Sequence, residues 1–426
     1  MTAPAADDEP ASTVPSPTRS TPRSAPPPRG CRAGLRAAGA GRAVAPPREG
    51  QAVTRPRAVE AATLPPAAEV RGPTVADVAR LASEVEAAAR VLGGVAARTR
   101  VVRDADLSAE LGVPVWLKCE QEQHTGSFKL RGAYHRVALA DSRARARGVV
   151  AASAGNHAQG VAYAAAAFGV PATIFVPAGA NPVKVARTRR LGARVEEVPG
   201  GVEAALAAAA RFAAEGGRLL VHPFDDPSVI AGQGTIGLEL LDQVPDVRTV
   251  LVGVGGGGLV SGLAVALRAR RPGIRVIGVQ SELAPAFATA LRTGRRPPTT
   301  DLRTIADGMA VREPGRLPLA LALSLVDARS LVDDVVTVDE DAFWSAMVRL
   351  YRSGLVVEPA GAAAVAALLR HGELAEGTTV AVLSGGNIDP AVAARVETLA
   401  ATPGRTRTTA GTARRVRPDR HPHRVV

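Results

Sequence analysis

The sequence predicts an α/β protein of two lobes, each a mostly parallel sheet covered by helices. Three observations carry that expectation. Short apolar runs recur along the middle of the chain, and alanine-rich stretches of helical length separate them. The runs are apolar at nearly every position, as strands covered on both faces require. Glycine-rich segments fall at the carboxyl ends of several runs, where open parallel sheets bind ligands.

Residues 1–72 stand outside the pattern. They hold 13 of the 33 prolines, three of them consecutive at Pro26 to Pro28, and almost no large apolar side chain. Such a segment cannot bury enough surface to offset chain entropy, so a disordered extension is expected. From Pro73 the pattern changes. Val75, Val78, Leu81, Val85 and Ala89 recur at helical spacing, and Thr74 with Asp77 suits a helix start. Candidate strands follow at Val115–Cys119, Gly148–Ala152, Ala172–Val176, Arg194–Val198, Leu219–His222, Thr249–Val254, Arg275–Val279, Val335–Val338 and Thr379–Leu383. Helical stretches such as Ala158–Phe168, Val183–Leu191, Val202–Ala214 and Leu259–Ala269 lie between them. Two sheets are expected, in a large lobe of residues 73–141 and 224–402 and a small lobe of residues 142–223. Residues 403–426 read as a second disordered tail, rich in arginine.

The formal net charge of +12 invites a nucleic-acid reading, but its distribution argues against one. Residues 1–72 hold ten Arg against six acids, and residues 403–426 hold seven Arg against one Asp. The 330 residues between them carry only +2. Arginine-rich ends are expected to be solvated extensions, and no specific nucleic-acid partner is expected. Two cysteines, Cys31 and Cys119, make no disulfide framework or metal spacing. Cys119 lies in an apolar strand pattern and is expected to be a buried thiol. No apolar run reaches the ~18 residues that span a bilayer, and the first residues lack the apolar core of a secretory signal. A cytoplasmic protein without a membrane partner is expected.

Several segments could carry chemistry, and each also has a plain structural reading. Lys129, in Thr125-Gly126-Ser127-Phe128-Lys129-Leu130-Arg131-Gly132-Ala133, could be a surface lysine after a Ser127 helix cap, or an amine used as nucleophile or base. Ser153-Ala154-Gly155-Asn156-His157 follows a strand and could cap a helix or receive a carboxylate. Gly255, Gly256, Gly257 and Gly258 lie between strand and helix, where backbone N–H groups can close on a phosphate. Glu358 precedes Pro359-Ala360-Gly361, Ser384 opens Ser384-Gly385-Gly386-Asn387 at a strand end, and Ala306-Asp307-Gly308 reads as a tight turn.

In that order these motifs resemble the tryptophan-synthase-β-like, fold type II family of pyridoxal-phosphate enzymes, and within it the threonine (serine) dehydratases. The resemblance runs from about Pro73 to Leu399 and includes Ala231-Gly232-Gln233-Gly234-Thr235. It implies pyridoxal 5'-phosphate in the cleft between the lobes. It also implies β-elimination of L-threonine or L-serine to 2-oxobutyrate or pyruvate plus ammonia. Lys129 would anchor the cofactor and move the Cα proton. Phe128 would pack on the ring, Asn156 would bond its phenolic oxygen, and Gly255 to Gly258 would hold its phosphate. Glu358 would lie near the ring and Ser384 would face its nitrogen. Ser153, Ala154, Gly155, Asn156 and His157 would form the substrate loop. A homodimer or homotetramer is implied as well.

Three positions depart from related serine racemases. Ala154 stands where they have a serine that reprotonates the opposite face. Gln280 and Ala286 stand where they have acidic metal ligands, so no divalent-metal site is expected. A racemase or a hydroxyaspartate dehydratase would share the scaffold. A polyanion binder working through the arginine-rich tails is the remote alternative.

Overall fold

The fold is that of a computed structural model, whose described residues are 73–402 except 297, 300, 301, 327 and 328. The expected extension with Cys31, and the expected basic tail, lie outside the described residues. The first helix, α1 (Val75–Leu92), starts with a capping box: the Thr74 hydroxyl accepts from the Asp77 N–H, and the Asp77 carboxylate accepts from the Thr74 N–H. Its buried stripe is Val78, Leu81, Val85, Ala88 and Leu92. Val75, expected in that stripe, sits in the first turn facing solvent, and the helical period puts Ala88 rather than Ala89 inside.

The chain continues through β1 (Val101–Arg103), α2 (Ala105–Leu111), β2 (Val115–Lys118), α3 (Lys129–Ala138) and α4 (Ser142–Ala146). Strands and helices then alternate: β3 (Val149–Ala152), α5 (Asn156–Ala167), β4 (Ala172–Pro177), α6 (Pro182–Arg190), β5 (Arg194–Val198), α7 (Val202–Glu215), β6 (Leu219–Leu220) and α8 (Pro227–Gln243). Their strands form a parallel sheet in the order β5-β4-β3-β6. Next come β7 (Thr249–Gly253), α9 (Gly258–Arg270), β8 (Arg275–Ser281), α10 (Ala286–Thr293) and α11 (Arg316–Leu323). A hairpin of β9 (Leu325–Val326) and β10 (Arg329–Ser330) leads to β11 (Asp334–Val338), α12 (Glu340–Arg352), α13 (Ala363–Arg370), β12 (Thr379–Val382) and α14 (Pro390–Ala401). The larger sheet runs β1-β2-β12-β7-β8-β11, parallel except for β1.

All nine expected strands form, with ends shifted by a residue or two. Cys119 falls just beyond β2, buried and free, and β6 keeps two residues of the four expected. The antiparallel edge β1 is too short for its own apolar pattern and is held by pairing with β2. The even apolarity of the strands has the expected cause. Val250, Val252, Val276 and Val380 pack into one core on one face of the large sheet, while Leu251, Ile277 and Ala381 pack into another on the opposite face.

Helix α3 is fixed from behind by buried charges. The Arg131 guanidinium donates to Glu120 (2.8 and 2.9 Å) and to Glu239 (2.7 and 3.1 Å). The Lys118 amine donates to Glu239, Gln243 and the Thr99 carbonyl at 2.5, 2.8 and 2.9 Å. Two cations and two anions share these bonds, so neither sign is left uncompensated inside. The first residue of α3 is thereby held in place. Among the described residues no helix is long and apolar enough to cross a membrane.

Candidate active site

Strands β2, β12 and β7 are parallel neighbours, so the segments leaving their carboxyl ends lie side by side. The segment after β12 meets the segment before α3: Ser127 bridges Gly385, and the Phe128 N–H donates to the Ser384 carbonyl at 3.2 Å. This brings Lys129 to Ser384 across a long stretch of sequence. Ser127 is not the helix cap its position suggests. Helix α3 begins after Phe128 without a side-chain cap, and the Ser127 hydroxyl is buried with no hydrogen-bond partner. The Thr125 hydroxyl is buried and unpartnered too.

The Lys129 amine lies 5.2 Å from the Phe128 ring centroid and donates to the Pro223 carbonyl at 2.7 Å. Burial lowers its pKa from the usual 10.5 to about 8, against a smaller opposing pull from Glu358. The chain has three lysines. Lys118 spends all three N–H bonds in the network behind α3, and Lys184 is ion-paired with Asp307. Lys129 alone has no carboxylate partner and a pKa lowered to near neutrality, which favours a reactive amine.

A polar cluster within electrostatic reach of it comes from the ends of β3 and β12 and from the segment after α12. Asn156 donates to Glu358 at 2.5 Å and accepts from Asn387 at 2.7 Å. Burial first, and Asp307 second, push the Glu358 carboxyl up to about 7. Glu358 precedes a short 3-10 turn, Pro359–Ala362, and does not cap it. A side chain at Gly385 would put its Cβ 2.4 Å from that carboxylate and 3.1 Å from the Asn156 amide nitrogen, so only glycine leaves the cluster room. The buried Ser384 hydroxyl touches only the Ala360 carbonyl, at 3.4 Å.

The glycine loop leaves β7 and opens α9. The N–H groups of Gly255, Gly256, Gly257 and Gly258 donate to no acceptor among the described residues. Four successive free amides at a helix start make an anion cradle. A Cβ on Gly256 would fall 2.4 Å from the Phe224 ring, so the cradle is built under that ring.

Ser153 to His157 form the turn from β3 into α5. The Ser153 hydroxyl accepts from the Gly155 N–H at 3.1 Å, and Gly155 precedes the helix without a side-chain cap. Neither Ser153 nor Asn156 therefore caps α5. The His157 side chain is turned to the backbone of Val221. Its Nε2 meets the Val221 carbonyl at 2.9 Å, it is 3% exposed, and burial drives its pKa down to about 3. Only its backbone N–H, at the helix start, remains for an anion. Gln280 uses both ends of its amide on backbone, at the Val254 carbonyl and the Ala288 N–H.

The donor set suits a phosphorylated aromatic aldehyde: an uncharged-capable amine, four free amides for the anion, and an amide, a hydroxyl and a carboxyl for the ring's oxygen and nitrogen. A family model described as "Pyridoxal-phosphate dependent enzyme" matches residues 94–385. The chain belongs to that family. The L-threonine ammonia-lyase of Thermotoga maritima is 46% identical over 307 residues, covering 72% of this chain and 75% of that protein. The solved structure of processed threonine deaminase isoform 2 from Solanum lycopersicum superposes with a TM-score of 0.72 at 32% identity, covering 78% and 95% of the two chains. Maize serine racemase gives 0.68 at 33% identity, covering 74% and 96%. The two-sheet α/β fold and the pyridoxal-phosphate cofactor expected from the sequence are those of the family.

Three features of the site were not legible as such in the sequence. The Pro223 carbonyl engages Lys129, Phe224 covers the glycine loop, and Asn387 holds Asn156. Asn387 stands inside a motif, but nothing in the one-dimensional pattern pairs it with Asn156, which is 231 residues away.

Proposed function

We propose that this pyridoxal-phosphate enzyme is an ammonia-lyase that dehydrates and deaminates L-threonine, with L-serine as the second substrate of the same chemistry. The carrying observation is that Lys129 is the one lysine whose amine is free of carboxylates, and it lies within electrostatic reach of Glu358 in the Asn156–Glu358–Ser384 cluster. Relatives named for threonine ammonia-lyase activity supply the substrate class.

Lys129 would hold the cofactor, Gly255 to Gly258 its phosphate, Asn156 its phenolic oxygen and Ser384 its ring nitrogen, with Phe128 and Glu358 beside the ring. Pyridoxal phosphate, when bound, supplies an aldehyde that takes the substrate amine and a ring that withdraws electrons from Cα. The free N–H groups at the start of α5, with Ser153, receive the substrate carboxylate. The Lys129 amine, kept partly neutral near pH 8 by burial, takes the Cα proton. The Cβ–OH bond then breaks and the hydroxyl takes up a proton and leaves as water; the released enamine tautomerises to an imine, whose hydrolysis consumes one water and gives 2-oxobutyrate, or pyruvate from serine, and ammonia. A serine at position 384 has no negative charge with which to keep the ring nitrogen protonated. Electron withdrawal is then shallower, and early loss of a β-hydroxyl is favoured over long-lived carbanion chemistry.

The rival on this scaffold is a racemase. Ala154 argues against it because no side-chain acid stands there to protonate the second face. Residues 142–223 are assigned to the substrate lobe, and a cytoplasmic homodimer or homotetramer is the assembly we propose. Ammonia and 2-oxobutyrate released from L-threonine by purified protein, and lost in Lys129→Ala, is the expected result. Turnover retained in that variant would refute the assignment.

A further inference from the structure

We propose that Asn387 is a positioning residue, which with Arg187 behind it dictates which end of the Asn156 carboxamide is turned into the site. The inference rests on the cofactor site proposed above and deepens it.

A carboxamide has an accepting end and a donating end of nearly the same shape, so its orientation must be set by its neighbours. Arg187, on α6, donates from Nη1 to the Asn387 Oδ1 at 3.2 Å. A guanidinium has no acceptor, so this contact fixes the oxygen of Asn387 toward Arg187. The Asn387 Nδ2 then points the other way, and both its hydrogens are used. One goes to the Thr125 carbonyl at 2.8 Å and the other to the Asn156 Oδ1 at 2.7 Å. With its oxygen so engaged, Asn156 can present only Nδ2 to the site, where it now donates to Glu358 at 2.5 Å. Polarity therefore passes in one direction, from Arg187 through Asn387 to Asn156. Each link is a donor meeting an acceptor, and a reversed link would set two acceptors or two donors face to face.

A second observation is independent of these bonds. Gly126 has φ +72°, and a Cβ there would lie 2.8 Å from the Asn387 Oδ1. The chain before Lys129 thus passes close against the Asn387 carboxamide, where any side chain at position 126 would collide with it. The relay also crosses between layers: Arg187 and Asn156 belong to segments of the four-stranded sheet, while Asn387 follows β12 of the larger one.

The test is a titration of cofactor-free protein with pyridoxal phosphate, read by visible absorbance, for wild type, Asn387→Asp, Arg187→Met, Asn156→Ala and the Asn387→Asp/Asn156→Ala pair. Asn387→Asp keeps the shape but sets acceptors against the Thr125 carbonyl and Asn156 Oδ1. Loss of one hydrogen bond to the cofactor's phenolic oxygen corresponds to about a tenfold weaker cofactor affinity, with a displaced visible maximum. Arg187→Met should move both readouts the same way by less. In the Asn156→Ala background the Asn387→Asp effect should vanish, because the relay then has nothing to orient. An Asn387→Asp penalty that persists undiminished without Asn156, or a variant with wild-type affinity and maximum, would overturn the proposal. If Asn387→Asp does not fold, Asn387→Ser and Arg187→Met make the same comparison against Asn156→Ala. A wild-type protein that develops no visible band would sink the cofactor site and this relay with it. A normal wild-type band with an indifferent Asn387→Asp would sink the relay alone.

Discussion

Replacing Lys129 with Met removes the amine but keeps an unbranched side chain of similar reach. Burial lowers the pKa of that amine from 10.5 to about 8, and lowering a pKa by one corresponds to about 1.4 kcal/mol. The cofactor-free folded protein therefore carries a penalty of about 3 kcal/mol wherever the amine is protonated in both folded and unfolded chains. Between about pH 8 and 10.5 the unfolded chain binds more protons, so wild-type stability rises with pH across that window and the penalty is complete below it. The methionine forfeits the hydrogen bond to Pro223, and the lysine is not wholly shielded from solvent. Together these take back about 1 kcal/mol. At pH 7 the cofactor-free Lys129→Met protein should be more stable than wild type by about 2 kcal/mol, or about 3 °C in a protein of this size. The advantage should disappear by about pH 10.5. Thermal unfolding of both cofactor-free proteins from pH 7 to 10.5 measures it. A variant less stable than wild type at pH 7, or a difference indifferent to pH, would mean a solvated amine and would refute the reasoning.

Further outcomes concern the cluster and the stereochemistry. Gly385→Ala should weaken cofactor binding at least tenfold in an absorbance titration, because the new methyl meets Glu358 and Asn156 at 2.4 and 3.1 Å. Arg131→Met should lower the unfolding free energy by about 3–5 kcal/mol, since it strands the fully buried Glu120 carboxylate while Glu239 keeps Lys118, and chemical denaturation reads this directly. Chiral chromatography of reactions with L-serine should find no D-serine in wild type, and measurable D-serine after Ala154→Ser. Dialysis against EDTA should leave threonine turnover unchanged, because the Gln280 amide is committed to backbone.

The sequence pattern yields the fold well where periodicity and burial agree. Val250, Leu251 and Val252 are all apolar because the sheet has a core on each face, and that is visible in one dimension. Strand β1 is not, because three residues at an edge take their geometry from a partner rather than from their own side chains. At the site, Lys129, Asn156, Glu358, Ser384 and the glycine loop stand out because strand ends and helix starts demand particular residue types there. Their partners are hidden for the opposite reason. The Pro223 carbonyl is backbone, which carries no residue signature, and the Arg187–Asn387–Asn156 contacts join residues about 200 positions apart. His157 is a case of another kind: its side chain is buried against the Val221 carbonyl, and its backbone N–H is the group left for the substrate loop.

The most direct measurement is borohydride reduction of the protein loaded with pyridoxal phosphate, followed by peptide mass spectrometry. With three lysines in the chain the outcome is unambiguous. A reduced phosphopyridoxyl adduct on the peptide containing Lys129, and on no other, is expected. An adduct on Lys118 or Lys184, or none at all, would contradict the assignment of the catalytic amine.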